Sequence, residues 1–83
     1  MDKILVTVRV PAIERQYDAF IPINLPMNEV IQALQKSLCE LSDGFYEIKE
    51  NVLLFDSIDG KQINQNNIVK FSGLKNGSNI LLM

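Results

Sequence analysis

Cys39 is the only cysteine in this 83-residue sequence, and it is the first candidate for a catalytic nucleophile. A catalytic cysteine needs a nearby base that favours its thiolate, and the sequence contains no histidine to act as one. The lack of imidazole also removes the commonest general acid–base group. Because Cys39 follows Leu38 on a predicted helix, we interpret it as a small, partly buried apolar side chain. The sequence therefore predicts that the protein is not an enzyme.

The sequence also lacks the residues that a metal site or a phosphate site needs. Zinc sites of ordinary spacing require several cysteine or histidine ligands, and one cysteine cannot supply them. Asp56 and Asp59 flank a predicted hairpin, but a calcium site needs more converging oxygen ligands. Gly73 and Gly77 lack the strand-to-helix context of a phosphate-binding loop, so we interpret them as turn residues. We therefore expect no metal and no cofactor.

The composition narrows the class of protein further. The formal net charge is −2, and Arg9 and Arg15 are the only arginines, so we expect no nucleic acid partner. No apolar run approaches the roughly 20 residues of a membrane helix, and the N-terminus does not resemble a signal peptide. We therefore expect a cytoplasmic protein without membrane insertion. Hydrophobic residues make up 47% of the chain in short runs, which predicts one packed domain over residues 1–83.

The first third of the sequence predicts a β-hairpin. Residues 3–10 and 17–23 alternate between apolar and polar side chains, with many β-branched residues. Six residues separate the two predicted strands, which suits a hairpin loop. Pro22 cannot donate a hydrogen bond to a sheet, so the second strand is expected at an edge.

A helical period follows. The apolar positions recur every three or four residues and form one stripe: Met27, Val30, Ile31, Leu34, Leu38 and Leu41. The opposite face is expected to be solvated and contains Gln32, Gln35, Lys36 and Glu40. Gly44 is predicted to end the helix. Residues 42–51 fit a loop, a short helix or the start of the next strand equally well.

The last third predicts three short strands. Residues 52–56 form the first, and the pair Asp59-Gly60 is a hairpin signal that leads into a second strand at 61–63. Ile68, Phe71 and Leu74 are spaced by three, as in one short 3-10 turn that packs on the core. Residues 79–83 form the final strand. The element order is β-β-α-β-β-β.

The long helix can bury its apolar stripe only against the sheet, which gives an α+β fold of two layers. The first and last strands are both apolar, so we expect them to pair in the middle of the sheet. This arrangement is a β-grasp: a mixed sheet of four to five strands with one helix packed across it.

The C-terminal half resembles ubiquitin. The segments "LLFD", "GKQI" and "IVKFSGLKNGSNILLM" follow ubiquitin's order of apolar strand, hairpin arm, short turn and closing strand. With "YDAFIPINLPMNEVI" before and within the helix, the whole chain resembles the small bacterial proteins YukD and EsaB, which are encoded with type VII (WXG100/Esx) secretion systems. The resemblance implies a cytosolic ubiquitin-like adaptor or regulator whose partners are components of the secretion machine.

The sequence departs from ubiquitin at one functional feature. The resemblance implies that conjugation and sulfur carriage require a flexible tail ending in Gly-Gly, and no glycine follows Gly77 in this sequence. We therefore expect a module that is not conjugated and that binds other proteins non-covalently. The alternative is a ubiquitin-like modifier or sulfur carrier.

A binding module needs apolar residues that its core does not use. If Leu53 and Phe55 point towards the helix, the alternation of a strand points Leu54 to solvent. The same rule points Leu81 and Met83 outward. We therefore predict a protein-binding patch of Leu54, Leu81 and Met83 on the sheet face that ubiquitin uses for most of its partners. It could serve a protein partner or a weak homodimer, and edge pairing along residues 17–23 offers a second route.

Overall fold

The computed structural model describes residues 2–83, which form a helix packed on one face of a mixed sheet. The strands are β1 (Lys3–Val10), β2 (Arg15–Pro22), β3 (Leu54–Asp56) and β4 (Ser78–Leu82), and the helix is α1 (Met27–Leu41). The strand order is β2-β1-β4-β3. β1 and β4 are parallel, and the other two pairs are antiparallel, so the predicted pairing of the first and last strands is confirmed.

The β1–β2 hairpin is tighter than the sequence predicts. Arg15 and Gln16 already pair with the end of β1, so four residues connect the strands instead of six. Pro11 begins a short 3-10 turn, and Glu14 leaves it in the left-handed region at a φ of 51°. Pro22 ends β2 at the edge of the sheet, where a missing N–H is tolerated, as predicted.

The core lies between the helix and the sheet. Val6, Val8, Ile80 and Leu82 from the central strands are almost fully buried against the apolar stripe of α1. Burial of each such side chain contributes about 1.5–3 kcal/mol. Within residues 2–83, no helix combines the length and the apolar character that membrane crossing requires.

The buried arc of α1 differs from the prediction at two positions. Leu41 is 63% exposed, whereas Gln35, expected on the solvated face, is 4% exposed. The segment 42–53, which contains no helix or strand, packs over the Gln35 side of α1. This packing buries Gln35. Leu41 lies on the other side of the apolar stripe, away from this segment, and is therefore exposed.

Gln35 fastens this segment to the helix with three hydrogen bonds. Its Oε1 accepts from the Tyr46 hydroxyl at 2.8 Å and from the Lys49 N–H at 2.8 Å. Its Nε2 donates to the Lys49 carbonyl at 3.0 Å. Ser42 Oγ accepts the Tyr46 N–H at 2.8 Å, so both polar ends of this tyrosine are paired. A buried amide that satisfies several partners is costly to remove.

Gln35→Ala is expected to lower the free energy of unfolding by about 2–4 kcal/mol, because it leaves the buried Tyr46 hydroxyl and the Lys49 N–H without their hydrogen-bond acceptor. The control is Gln32→Ala on the exposed face of the same helix, with an expected change below about 0.5 kcal/mol. Urea denaturation measures both variants. Equal midpoints for the two variants would contradict the bracing role of Gln35.

Tyr46 also makes stability depend on alkaline pH. Burial raises the pKa of Tyr46 above its usual value of 10.0. The unfolded chain therefore loses this proton first as the pH rises. The stabilising contribution of protonated Tyr46 is complete below the pKa that this tyrosine has in the unfolded chain. It is lost as the pH rises through the higher pKa of Tyr46 in the folded protein. Urea midpoints measured from pH 8 upwards are expected to fall more steeply for the wild type than for Tyr46→Phe; parallel curves would contradict this assignment.

The predicted fifth strand at 61–63 is wrong. Only Gln62 forms a bridge, to Phe55, although the Ile63 N–H donates to the Leu54 carbonyl at 2.8 Å. The chain then turns at Asn64, whose side chain accepts the Asn66 N–H at 2.9 Å, which keeps the arm too short for a strand. The hairpin signal at Asp59-Gly60 is confirmed, with Gly60 in the left-handed region at a φ of 72°.

Further along, the predicted 3-10 turn is present at Val69–Phe71, but Val69 is its buried residue and Phe71 is exposed.

Candidate functional site: the outer face of the sheet

The face of the sheet opposite α1 is fixed by the pairing of β3 with β4. Leu54 pairs with Leu82, and both are buried beneath the helix. The next pair, Phe55 with Leu81, therefore points to the outer face. Beyond the ladder, the Met83 N–H donates to the Leu53 carbonyl at 2.8 Å, which continues the same register by one more pair.

The predicted exposure of Leu54 is wrong. Leu54 has 0% exposure and lies in the core, while its neighbours Leu53 and Phe55 face outward. In the stretch 52–55 every residue is apolar, so no alternation in the sequence fixes which residues point inward. The register with β4 determines which residues of β3 point towards the helix, which we call the phase of the strand. The outward orientation predicted for Leu81 and Met83 is confirmed, and their role in binding stays a prediction.

Four side chains thus form one outward-facing group, which we call the sheet-face patch: Leu53, Phe55, Leu81 and Met83. Leu53 is 40% exposed and Met83 is 58% exposed, while Phe55 and Leu81 are half-buried. Residues directly opposite on antiparallel strands have Cβ atoms about 4.5–5.5 Å apart. The two pairs are neighbours on the outer face, because the pair between them points inward, and they therefore make a contiguous apolar surface rather than scattered exposed residues.

The sheet-face patch borders the only two arginines of the sequence. Arg9 is the partner of Leu81 in the β1–β4 ladder. Arg9, Arg15 and Glu14 line a shallow depression that Leu81 closes on one side. The site therefore combines an apolar centre with a charged border in which two cations outnumber one anion.

A polar row divides the outer face. The Thr7 hydroxyl donates to the Asp18 carboxylate at 2.9 Å, and Asn79 follows Thr7 in the next strand. Beyond this row, Leu5 and Phe20 pair on the hairpin side of the outer face. The polar row separates them from the sheet-face patch, so the outer face has two apolar areas.

The other sequence-level candidates have structural roles. Cys39 is half-buried on α1. The carboxylates of Asp56 and Asp59 accept the backbone N–H groups of Ile58 and Lys61, each at 2.9 Å, as turn residues do. Among residues 2–83, no three metal-ligating side chains lie together.

No family model and no curated protein matches the sequence. Solved structures do match it. The ubiquitin-like domain of the Mycobacterium tuberculosis type VII secretion system protein ECCD1 aligns over 100% of this chain and 99% of its own, with a TM-score of 0.75 and 17% identity. The fold is the ubiquitin-like β-grasp.

Two further structures show how widely this fold is used. A chain of the MycP5-free ESX-5 inner membrane complex covers 100% of this chain with 21% of its own length, at a TM-score of 0.69 and 15% identity. A chain of the toluene 4-monooxygenase HD complex matches 96% of this chain and 95% of its own, at a TM-score of 0.74 and 12% identity. At such identities the likeness establishes the ubiquitin-like fold, and function has to be argued from the surface.

Proposed function

We propose that this chain is a non-conjugating ubiquitin-like adaptor that binds a component of a bacterial type VII secretion system through the sheet-face patch. The observation that carries the proposal is the contiguous group Leu53, Phe55, Leu81 and Met83 on the face opposite the helix. The full-length match to the ECCD1 domain supports the choice of secretion machinery.

The chemistry of the patch suits non-covalent binding. Burial of apolar surface contributes about 25 cal/mol per Å² removed from water, and a few central aromatic or aliphatic anchors dominate such interfaces. Phe55 and Leu81 lie at the centre of the patch and are already half-buried, so they lose less side-chain freedom on binding than fully exposed residues would. Arg9 at the border favours a partner with acidic groups around an apolar centre.

Co-purification from the native host tests this function. The full chain with an affinity tag is recovered from detergent-solubilised membranes, and the bound proteins are identified by mass spectrometry. The proposal predicts type VII secretion components among the proteins enriched over a tag-only control. Intact-mass measurement of the bait is expected to show no ligated protein; a covalent adduct, or enrichment without any secretion component, would contradict the proposed function.

A further inference from the structure

The turn before β4 contains the pair Asn76-Gly77. Asn76 is the only asparagine of the sequence that precedes a glycine. An asparagine loses its side-chain amide when the backbone nitrogen of the next residue attacks Cγ, and a glycine leaves this nitrogen unshielded because it has no side chain. Both residues are exposed, so water and hydroxide reach them.

The backbone of Leu5 holds both reacting groups. The Leu5 N–H donates to Asn76 Oδ1 at 2.7 Å, and the Gly77 N–H donates to the Leu5 carbonyl at 2.7 Å. These two bonds lie just before the first β1–β4 pair, Val6 with Ser78, so they extend the ladder into the turn. Gly77 has a φ of 90°, which glycine adopts without strain.

The two hydrogen bonds have opposite effects on the attack. The bond to Oδ1 favours it, because it stabilises the negative charge that develops on this oxygen. The bond from the Gly77 N–H prevents it, because Cγ must take the position on the nitrogen that the hydrogen occupies, and that position faces the Leu5 carbonyl. The ladder must therefore open at Leu5 before the ring can close, as it must for exchange of a hydrogen-bonded amide.

We propose that Asn76 is a site of spontaneous deamidation and isomerisation that the backbone of Leu5 keeps closed in the folded protein. When this end of the ladder opens, hydroxide removes the proton of the Gly77 nitrogen, a bond forms from this nitrogen to Cγ, and the Cγ–Nδ2 bond breaks. Nδ2 leaves as ammonia after it takes up a proton from water. Water then hydrolyses the cyclic imide at either carbonyl carbon, which gives aspartate or isoaspartate at position 76. No group is oxidised or reduced.

The two products differ in their effect on the fold. An aspartate carboxylate still accepts the Leu5 N–H, so the extension of the ladder is kept. In isoaspartate the main chain runs through Cβ and Cγ, which adds one backbone atom immediately before β4 and moves the acceptor away from Leu5. β4 contains the buried Ile80 and Leu82, so this product is expected to loosen the central pair of strands. A chain that has opened at this turn then keeps a covalent mark after it refolds.

Peptide mapping by tandem mass spectrometry tests the site. The folded chain and the free peptide of residues 71–83 are incubated in the same mildly alkaline buffer, made with heavy-oxygen water so that hydrolysis labels the product. Conversion of Asn76 is expected to be about tenfold slower or more in the folded chain than in the peptide, since two hydrogen bonds must break first. The full chain in urea above its midpoint is expected to react at the rate of the peptide. Asn79 precedes isoleucine in the same peptide and is the matched control, which is expected to stay intact.

The products are tested separately. Asn76→Asp supplies the aspartate product in a uniform form and is expected to keep the wild-type urea midpoint, whereas the purified isoaspartate form is expected to have a lower one. The inference is overturned if the folded chain reacts as fast as the peptide or faster, or if Asn79 reacts as fast as Asn76. A wild-type midpoint for the isoaspartate form would equally overturn the proposed effect on β4.

Discussion

Leu54→Glu is expected to unfold the domain at room temperature. The substitution removes a large side chain with 0% exposure and places a carboxylate among the apolar side chains of the core. Loss of the buried leucine alone costs about 2–5 kcal/mol, and burial of an unpaired charge adds several more. Domains of this size have only about 5–15 kcal/mol of stability in total.

The control is one residue away. Leu53→Glu places the same carboxylate on the outer face, where the leucine is already 40% exposed, and is expected to change the free energy of unfolding by less than about 1 kcal/mol. Circular dichroism on heating compares the two variants with the wild type. The assigned phase of β3 would be wrong if Leu54→Glu melted near the wild-type temperature or if Leu53→Glu proved to be the unfolded variant.

Leu53→Glu combined with Met83→Glu is expected to weaken binding to the secretion component by about 100-fold or more while the fold persists. These are the most exposed members of the sheet-face patch, so their change costs the core little. Two carboxylates next to Phe55 and Leu81 would have to be desolvated in the complex, and the loss of hot-spot contacts adds to this cost. Biolayer interferometry with the component recovered by co-purification measures the affinity.

A second double variant tests whether the loss of binding depends on the sheet-face patch or only on the addition of two carboxylates. Phe45→Glu with Ile48→Glu also exchanges two exposed apolar residues for carboxylates, at 65% and 60% exposure, but on the segment that Gln35 braces. Its affinity is expected to match the wild type. If both double variants lost binding equally, net charge rather than the sheet-face patch would explain the effect.

The alternation in the sequence determined the hairpin well. In β1 the buried Val6, Val8 and Val10 alternate with polar or exposed residues, so both the strand and its phase could be predicted. The same holds for β4, where Ile80 and Leu82 point inward as expected. The two-layer β-grasp arrangement follows from these strands and from the apolar stripe of α1.

The sequence-based predictions for Leu54 and Gln35 are wrong because the local pattern was absent at the first position and misleading at the second. Four apolar residues in succession at 52–55 gave no phase, so the candidate site was shifted from Leu53 and Phe55 to Leu54. Gln35 looked like a solvated helix residue because its partners Tyr46 and Lys49 come from a segment that the sequence left open. Only the pairing of β3 with β4 and the path of residues 42–53 settle these positions. Both are tertiary features.

Photocrosslinking in living cells tests the sheet-face patch most directly as the contact surface. Benzoylphenylalanine replaces Phe55, a half-buried residue at the centre of the patch, or Phe45, a 65% exposed phenylalanine outside it. Both changes are conservative, and the control position is the more accessible one. We expect a covalent adduct with a type VII secretion component from position 55 and none from position 45. An adduct from position 45 alone, or from neither position, would contradict the assignment of the sheet-face patch as the contact surface.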